Sequence, residues 1–370
     1  MYKEIEKNMD LALRLSLQAK GITSPNPLVG ALVARNNSVV SQGFHKRAGS
    51  EHAEIIALRK AQSKSKGATL FVTLEPCCSF GRTPPCVEAI VKSGIKKVVV
   101  GMFDPNPRHC GKGMKILRKH GIKVISGVLE ERIREINQPF IKYITKNMPY
   151  VTLKVAQSLD GKIATKTGDS KWITSQSSRK FAHKMRNNFD AIMVGINTVL
   201  KDDPLLNPDK AIKGKKFYKV ILDTHLKVKT TMRVFNNTEN YPVIIATCKE
   251  SLIKKSRKIR SLINKGSIVL GIEKDNGLID AKDLLSKLAQ LEITNILVEG
   301  GGRLAGSLLD KNLIDYVLFF ISPIIIGGGD SISSIYGKGV NRIKDALLLK
   351  TIKTQRFDRD LLIEGAVKQY

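Results

Sequence analysis

The chain has 370 residues, enough for two domains of ordinary size. Its 62 Lys+Arg against 33 Asp+Glu give a formal net charge of +29, but the cations are spread along the whole length without a basic–aromatic stripe; the anions this favours are phosphate-bearing small molecules, not nucleic acid. No apolar run reaches membrane-spanning length and the N-terminus lacks a signal-peptide pattern; the five cysteines are odd in number and clustered, which argues against a secreted disulfide framework and for a reducing cytoplasm.

Residues 3–20 place apolar side chains at 5, 9, 12, 13 and 17, the spacing of one helix face, and Gly21 follows as a stop. Beyond Ser24-Pro25-Asn26-Pro27, apolar runs at 28–34 and 39–42 flank Asn36-Asn37 and predict a hairpin. A helix capped by Ser50 would carry His52 and Glu54, and a buried strand, Thr69–Leu74, would deliver Cys77. Thr83-Pro84 reads as the cap and first position of a helix that holds Cys86 and runs to about Lys92. Strand Lys97–Met102, a loop at 104–107, helix Lys112–Lys119, strand Lys123–Ile125 and a helix over 129–144 complete the pattern. Strands alternating with helices imply a three-layer α/β/α domain, and the polar joint at 145–149 divides the chain into domains 1–147 and 148–370.

Within the first domain, one histidine and two thiols offer three zinc ligands and leave a fourth position for water, the arrangement of a catalytic site. Cys78 directly follows Cys77 and is badly placed to share a metal with it, which makes His52, Cys77 and Cys86 the expected set. Glu54, two residues after the histidine, is the expected proton shuttle. A histidine-x-glutamate followed by proline-cysteine is the order found in zinc deaminases of nucleobases. Here the second cysteine comes after eight intervening residues instead of two.

A second α/β pattern opens with a strand at 150–156. A helix over 178–187, strand 191–194, strands near 218–222 and 243–246, and a lysine-rich helix over 250–264 follow. Helix Ala281–Gln290, capped by Asp280, leads to strand Asn295–Val298 and then to Glu299-Gly300-Gly301-Gly302-Arg303-Leu304-Ala305-Gly306, with a helix from 304 to 309. Glycines between a strand and a helix let backbone N–H groups approach a pyrophosphate. No acidic residue ends the next strand to take an adenosine ribose, so a phosphate-binding α/β fold other than a standard Rossmann domain is expected.

These motifs together carry a resemblance. Pro25-Asn26-Pro27-Leu28-Val29-Gly30, Gly43-Phe44-His45, Gly49-Ser50-Glu51-His52-Ala53-Glu54 and Gly81-Arg82-Thr83-Pro84-Pro85-Cys86 resemble the deaminase half of the bifunctional riboflavin-biosynthesis deaminase–reductases. Leu153-Lys154, Ser158-Leu159-Asp160-Gly161, Trp172-Ile173-Thr174, Thr198-Val199-Leu200 with Asp202-Asp203-Pro204, and Val298-Glu299-Gly300-Gly301 are similar to its reductase half. The resemblance implies a cytidine-deaminase-like domain followed by a dihydrofolate-reductase-like domain, with zinc and NADPH as cofactors. It implies substrate contacts at Asn26, His45, Glu54 and Arg82 in the first half, and at Lys154, Ser170, Arg186, Leu206 and Glu299 in the second. Cofactor contacts are implied at Ala156, Trp172, Thr198, Asp202, Thr224 and the run Gly301, Gly302, Arg303, Leu304, Ala305, Gly306 and Ser307. The expected activity is deamination of a phosphoribosylamino-pyrimidinone followed by reduction of its ribosyl chain to ribityl.

Two positions depart from that family. It usually has histidine where this chain has Ser79, and arginine where this chain has Asp209. Both changes remove a possible cation from a phosphate site; Lys210 and Lys213 are the nearest cations in sequence to offset Asp209. Two rival readings follow: an RNA or nucleobase deaminase with an accessory C-terminal domain, or a deaminase with a decayed reductase half. Lys154, Asp202 and Glu299, all present, stand against the second. The expected partners are the phosphorylated pyrimidine and further copies of the chain, with no nucleic acid and no membrane.

Overall fold

The computed structural model describes residues 2–36, 38–80, 84–107, 109–212 and 214–368, and divides at Met148/Pro149 into two compact units. In the first, strands β1 (Gly30–Arg35), β2 (Ser38–Phe44), β3 (Thr69–Leu74), β4 (Lys97–Met102) and β5 (Lys123–Ile125) form one sheet in the order β2-β1-β3-β4-β5. The β1–β2 and β1–β3 pairs are antiparallel, while β3, β4 and β5 run parallel. Strand β3 is buried along almost its whole length, which is why Thr-Leu-Phe-Val-Thr-Leu reads as a continuous apolar run rather than an alternation. Around the sheet lie α1 (Tyr2–Ser16), α2 (Ala53–Ala61), α3 (Cys86–Lys92), α4 (Lys112–Lys119), α5 (Glu130–Ile136) and α6 (Gln138–Lys146). Leu32, Leu70, Val98, Val99, Met114, Leu117 and Ile133 are among the fully buried side chains of this unit's core.

Three local expectations are corrected. The helix at 129–144 is two helices, because Asn137 leaves helical geometry and Pro139 at the start of α6 has no N–H with which to continue α5. The break has a use: the buried Asn137 amide accepts from Leu28 N at 2.8 Å and donates to Leu28 O at 3.2 Å, fixing the loop that carries Asn26. Helix α2 is capped by His52 itself, while Ser50 bonds locally to Arg47. Helix α3 starts at Cys86 with Pro85 before it; Thr83, the expected cap, lies outside the described residues.

In the second unit β6 (Tyr150–Ser158) and β7 (Lys162–Ala164) lead to α7 (Gln176–Met185), β8 (Ala191–Gly195) and α8 (Ile196–Asp202). Then come β9 (Tyr218–Leu222), β10 (Val243–Cys248), α9 (Lys249–Lys254), α10 (Ser256–Asn264) and β11 (Ile268–Ile272). The rest is β12 (Lys274–Asp275), β13 (Leu278–Ile279), α11 (Ala281–Gln290), β14 (Asn295–Val298), α12 (Gly302–Asp310), β15 (Tyr316–Ser322), β16 (Ile332–Ser333), β17 (Leu349–Phe357) and β18 (Asp360–Val367). The main sheet has nine strands in the order β11-β10-β9-β8-β14-β6-β15-β18-β17 among the described residues. From β11 to β15 neighbours are parallel; β18 and β17 close it as an antiparallel hairpin. The lysine-rich helix breaks at Lys255 into α9 and α10, and α12 starts at Gly302, two residues earlier than expected.

Buried carboxylates register this sheet. Asp190 accepts from Thr294 N, Thr294 Oγ1 and Asn295 N at 2.9–3.0 Å, which aligns the starts of β8 and β14. Chain order reverses around β14, which is inserted between β8 and β6, and in open α/β sheets the crevice beyond the carboxyl ends at such a switch is where ligands bind. Among the described residues no helix is long and apolar enough to cross a membrane.

Candidate functional site

The first unit gathers His52, Cys77 and Cys86 into a group whose ligand atoms all lie within 4.8 Å of one another. Local structure explains the convergence. His52 caps α2, Cys77 leaves the end of β3, and Cys86 opens α3, so two of the three sit at helix N-termini, where the backbone favours anionic sulfur. His52 Nδ1 is 3.0 Å from Cys86 Sγ and 3.6 Å from Cys77 Sγ, and Cys86 N donates to Cys77 Sγ at 3.3 Å. The Cys86 thiol donating to Cys77, helped by His52 and then by that backbone N–H, overrides burial and brings Cys77 down to about 4, while the Cys86 thiol is pushed up because it holds the shared proton. Two sulfurs and an imidazole nitrogen at this spacing are the donor set of zinc, and the described residues add no fourth ligand, leaving a position for water. Cys78 is not part of the group.

Glu54 is buried, and burial raises its carboxyl to about 7, with His52 beside it working in the opposite sense. A carboxyl at that value both takes and returns a proton near neutral pH. Edge-on to the His52 ring, with centroids 5.6 Å apart, His45 donates from Nδ1 to Glu51 O at 3.1 Å; its Nε2 therefore accepts from Asn26 Nδ2 at 3.0 Å. Burial lowers the His45 pKa, so the ring is held neutral, and Asn26 keeps its Oδ1 as a free acceptor. Arg82 lies outside the described residues.

One residue here carries more than its motif suggested. Glu75, buried, accepts from Asp104 N at 3.2 Å, Gly111 N at 2.9 Å and Met114 N at 3.3 Å, tying the loop after β4 to the strand that delivers Cys77. Its partners lie 29 to 39 residues on, beyond the reach of any local pattern.

In the second unit a cavity of about 760 Å³ opens where β14 is inserted between β6 and β8. Lys154, Ala156, Ser170, Thr198, Asp202, Thr224, Glu299, Gly301, Gly302, Arg303, Leu304 and Ser307 line it, which brings together most of the residues expected there. At its floor Arg186 grips Glu299 with two bonds, Nε–Oε1 at 2.9 Å and Nη2–Oε2 at 3.2 Å, and Lys154 Nζ lies 3.8 Å from Oε2. Burial alone would raise the Glu299 carboxyl; Arg186 and Lys154 override it and hold it at about 2. The Ser158-Leu159-Asp160-Gly161 motif proves to be loop architecture: the Asp160 carboxylate accepts from Ser158 Oγ, Ile326 N and Gly327 N.

Five expected contacts fall outside the cavity lining. Trp172 is 67% exposed with the Arg179 guanidinium stacked 4.3 Å from its ring centroid. Leu206 is buried in the hydrophobic core, so its side chain does not face a ligand. Ala305 and Gly306 turn to the inner face of α12; a Cβ on Gly306 would stand 1.6 Å from Tyr336 O. Gly301 differs, since a Cβ there would meet nothing within 4 Å, so its backbone is open to a ligand. Arg186 does not line the cavity but reaches it through Glu299. The side chain against Asp209 is His183, with Nδ1 3.5 Å from Oδ1; Lys213 lies outside the described residues.

A histidine and two thiols with the donor set of zinc beside a buried carboxyl are the arrangement of a zinc deaminase, joined on one chain to an α/β unit with a cavity at the switch point of its sheet. Known proteins agree. Residues 2–102 match the cytidine and deoxycytidylate deaminase zinc-binding region, and residues 149–363 match the RibD C-terminal domain. The chain is 47% identical to the riboflavin biosynthesis protein RibD of Aquifex aeolicus over 98% of its own length and 99% of that protein's. Its structure is similar to form 1 of Acinetobacter baumannii RibD, with a TM-score of 0.87 and 33% identity over all of both chains. It is also similar to a diaminohydroxyphosphoribosylaminopyrimidine deaminase/5-amino-6-(5-phosphoribosylamino)uracil reductase from Thermotoga maritima, with a TM-score of 0.82 and 36% identity over 99% of both. The chain belongs to the RibD family of bifunctional deaminase/reductases of riboflavin biosynthesis. Its first domain is a cytidine-deaminase-like α/β domain with the His52, Cys77, Cys86 zinc motif, and its second is a dihydrofolate-reductase-like domain, which implies a nicotinamide cofactor.

Proposed function

We propose that the first unit hydrolyses the 2-amino group of 2,5-diamino-6-(5-phosphoribosylamino)pyrimidin-4-one and that the second reduces the ribosyl chain of the product to ribityl with NADPH. The observation that carries the first step is the His52–Cys77–Cys86 group with Glu54 buried against it. Zinc held by that group supplies a water acidified to a pKa of about 7. Glu54 takes a proton from the attacking water and returns it to the departing amino group, so the C–N bond breaks and ammonia leaves. The Asn26 amide, oriented by neutral His45, presents Oδ1 to an N–H of the pyrimidine.

In the second unit Gly301, Thr198 and Arg303 line the wall where a pyrophosphate would lie, at the N-terminus of α12. NADPH supplies the hydride. Lys154 and Ser170 face the substrate's ribosyl phosphate, and Glu299, gripped by Arg186, holds Lys154 in place. A homo-oligomer is part of the reading, supported by the exposed apolar side chains Ile325, Ile343, Leu348 and Ile352. A reducing compartment suits five cysteines that are all free. Purified protein mixed with the phosphorylated diaminopyrimidine and NADPH is expected to release one ammonia for each NADPH oxidised. Ammonia without NADPH oxidation would leave a deaminase only.

A further inference from the structure

We propose that His109 is a substrate-binding residue of the deaminase, donating a hydrogen bond to the phosphoribosyl arm of the substrate beside the zinc group; this rests on the deaminase reading above. The first observation is position. Ser79 stands two residues after the metal-ligating Cys77, and its hydroxyl lies 3.3 Å from His109 Nδ1. That contact occupies Nδ1, while Nε2, the ring's other nitrogen, makes no hydrogen bond among the described residues; with its proton there the imidazole offers a ligand one donor. Ser79 is exposed and His109 half-buried, so the pair is open to solvent on one side.

The second observation is that His109 is held in place. Its backbone N–H closes a turn on Asn106 O at 2.9 Å, and the loop on either side is pinned by the three N–H bonds to Glu75. Glu75 lies at the end of β3, on the strand that delivers Cys77, so the imidazole and the metal group are fixed to the same strand end. The neighbouring carboxylate is Asp104, close enough to His109 for the two to interact electrostatically, and it is occupied in accepting from Asn106 N at 2.9 Å.

The third observation joins these to the sequence. Ser79 is the position at which this chain lacks the histidine its family usually carries. The structure returns an imidazole to that place from a segment 30 residues further on. A phosphate oxygen is the group such a donor suits, because hydrogen bonds to a charged acceptor are the stronger ones.

The test is the steady-state release of ammonia by zinc-loaded His109→Ala from the phosphorylated diaminopyrimidine, with zinc content measured alongside. Expected is a KM raised about ten- to hundredfold, with kcat, bound zinc and the reductase activity kept. Adding Ser79→His to that variant is expected to restore most of the lost affinity. A KM within twofold of the parent overturns the inference alone. A raised KM accompanied by loss of zinc also overturns it, by assigning His109 a structural role. An unsubstituted protein that releases no ammonia overturns the deaminase reading and this inference with it.

Discussion

Glu54 in the first unit and Glu299 in the second are both withdrawn from solvent at their sites, and the two are treated oppositely. Glu54 is buried, has burial as its dominant influence and sits near 7; Glu299 is only partly covered, and Arg186 and Lys154 hold it at about 2. A carboxyl near neutrality exchanges a proton with substrate; a carboxylate far below neutrality never does, and serves to fix the cations around it. The residue type is the same, and neighbours decide between the two roles. The two family departures add a parallel: Ser79 and Asp209 each face a histidine from elsewhere in their own unit, His109 and His183.

The widest separation of the two units comes from the metal group. Cys86→Ser is expected to abolish zinc binding and ammonia release while the reductase keeps its rate, and Cys78→Ser to retain all three, as metal analysis with separate assays of each activity would reveal. Equal zinc loss in both variants would mean that the wrong thiol has been chosen.

On the other side, Arg186→Ala leaves Glu299 with only Lys154 for company. Breaking a buried pair on one side costs about 3–5 kcal/mol, enough to lower the melting temperature of the second unit and to reduce its activity. The same pair sets a pH dependence. Because the Glu299 carboxyl is depressed from 4.5 to about 2, its stabilisation is complete above 4.5 and is lost as pH falls toward 2. Arg186→Ala should flatten that loss; an unchanged acid limb in a melting series would break the comparison.

Two glycines of one run sharpen it further. Gly306→Ala drives a methyl into Tyr336 O and is expected to destabilise the second unit by about 1–3 kcal/mol. Gly301→Ala has open space around it, so folding should be untouched while the KM for NADPH rises. If instead Gly301→Ala leaves that KM unmoved, the cofactor does not approach the backbone there.

The smallest effect belongs to Asp209. With His183 already beside a half-exposed carboxylate, Asp209→Arg is expected to lower the reductase KM only about two- to fivefold. A raised KM would give the carboxylate a positive part in binding.

Much of the first unit was legible in the sequence because its chemistry is local. His52 and Glu54 open one helix, Cys77 follows one strand, and Cys86 opens the next helix, so order and spacing suffice. What escaped depends on distant partners. Glu75 reads as part of a motif until the N–H groups of Asp104, Gly111 and Met114 are brought to it, and the Arg186–Glu299 grip spans 113 residues. A glycine-rich run does not say which of its members face inward, and Ala305 and Gly306 prove to lie on the buried face of α12. The C-terminal hairpin leaves no such mark in the sequence, because β17, Leu-Lys-Thr-Ile-Lys-Thr-Gln-Arg-Phe, is an exposed edge strand with almost no buried face to give an alternation.

The central claim is that one chain carries two separable reactions, the first needing a proton shuttle at Glu54 and the second indifferent to it. Zinc-loaded Glu54→Gln is the direct test, supplied in turn with the diaminopyrimidine and with its deaminated product, with NADPH present in both. The account predicts that ammonia release from the first falls by about two to four orders of magnitude with zinc retained, while NADPH oxidation with the second proceeds at the parental rate. Ammonia release within tenfold of the parent, or a parallel collapse of NADPH oxidation on the deaminated substrate, would contradict it.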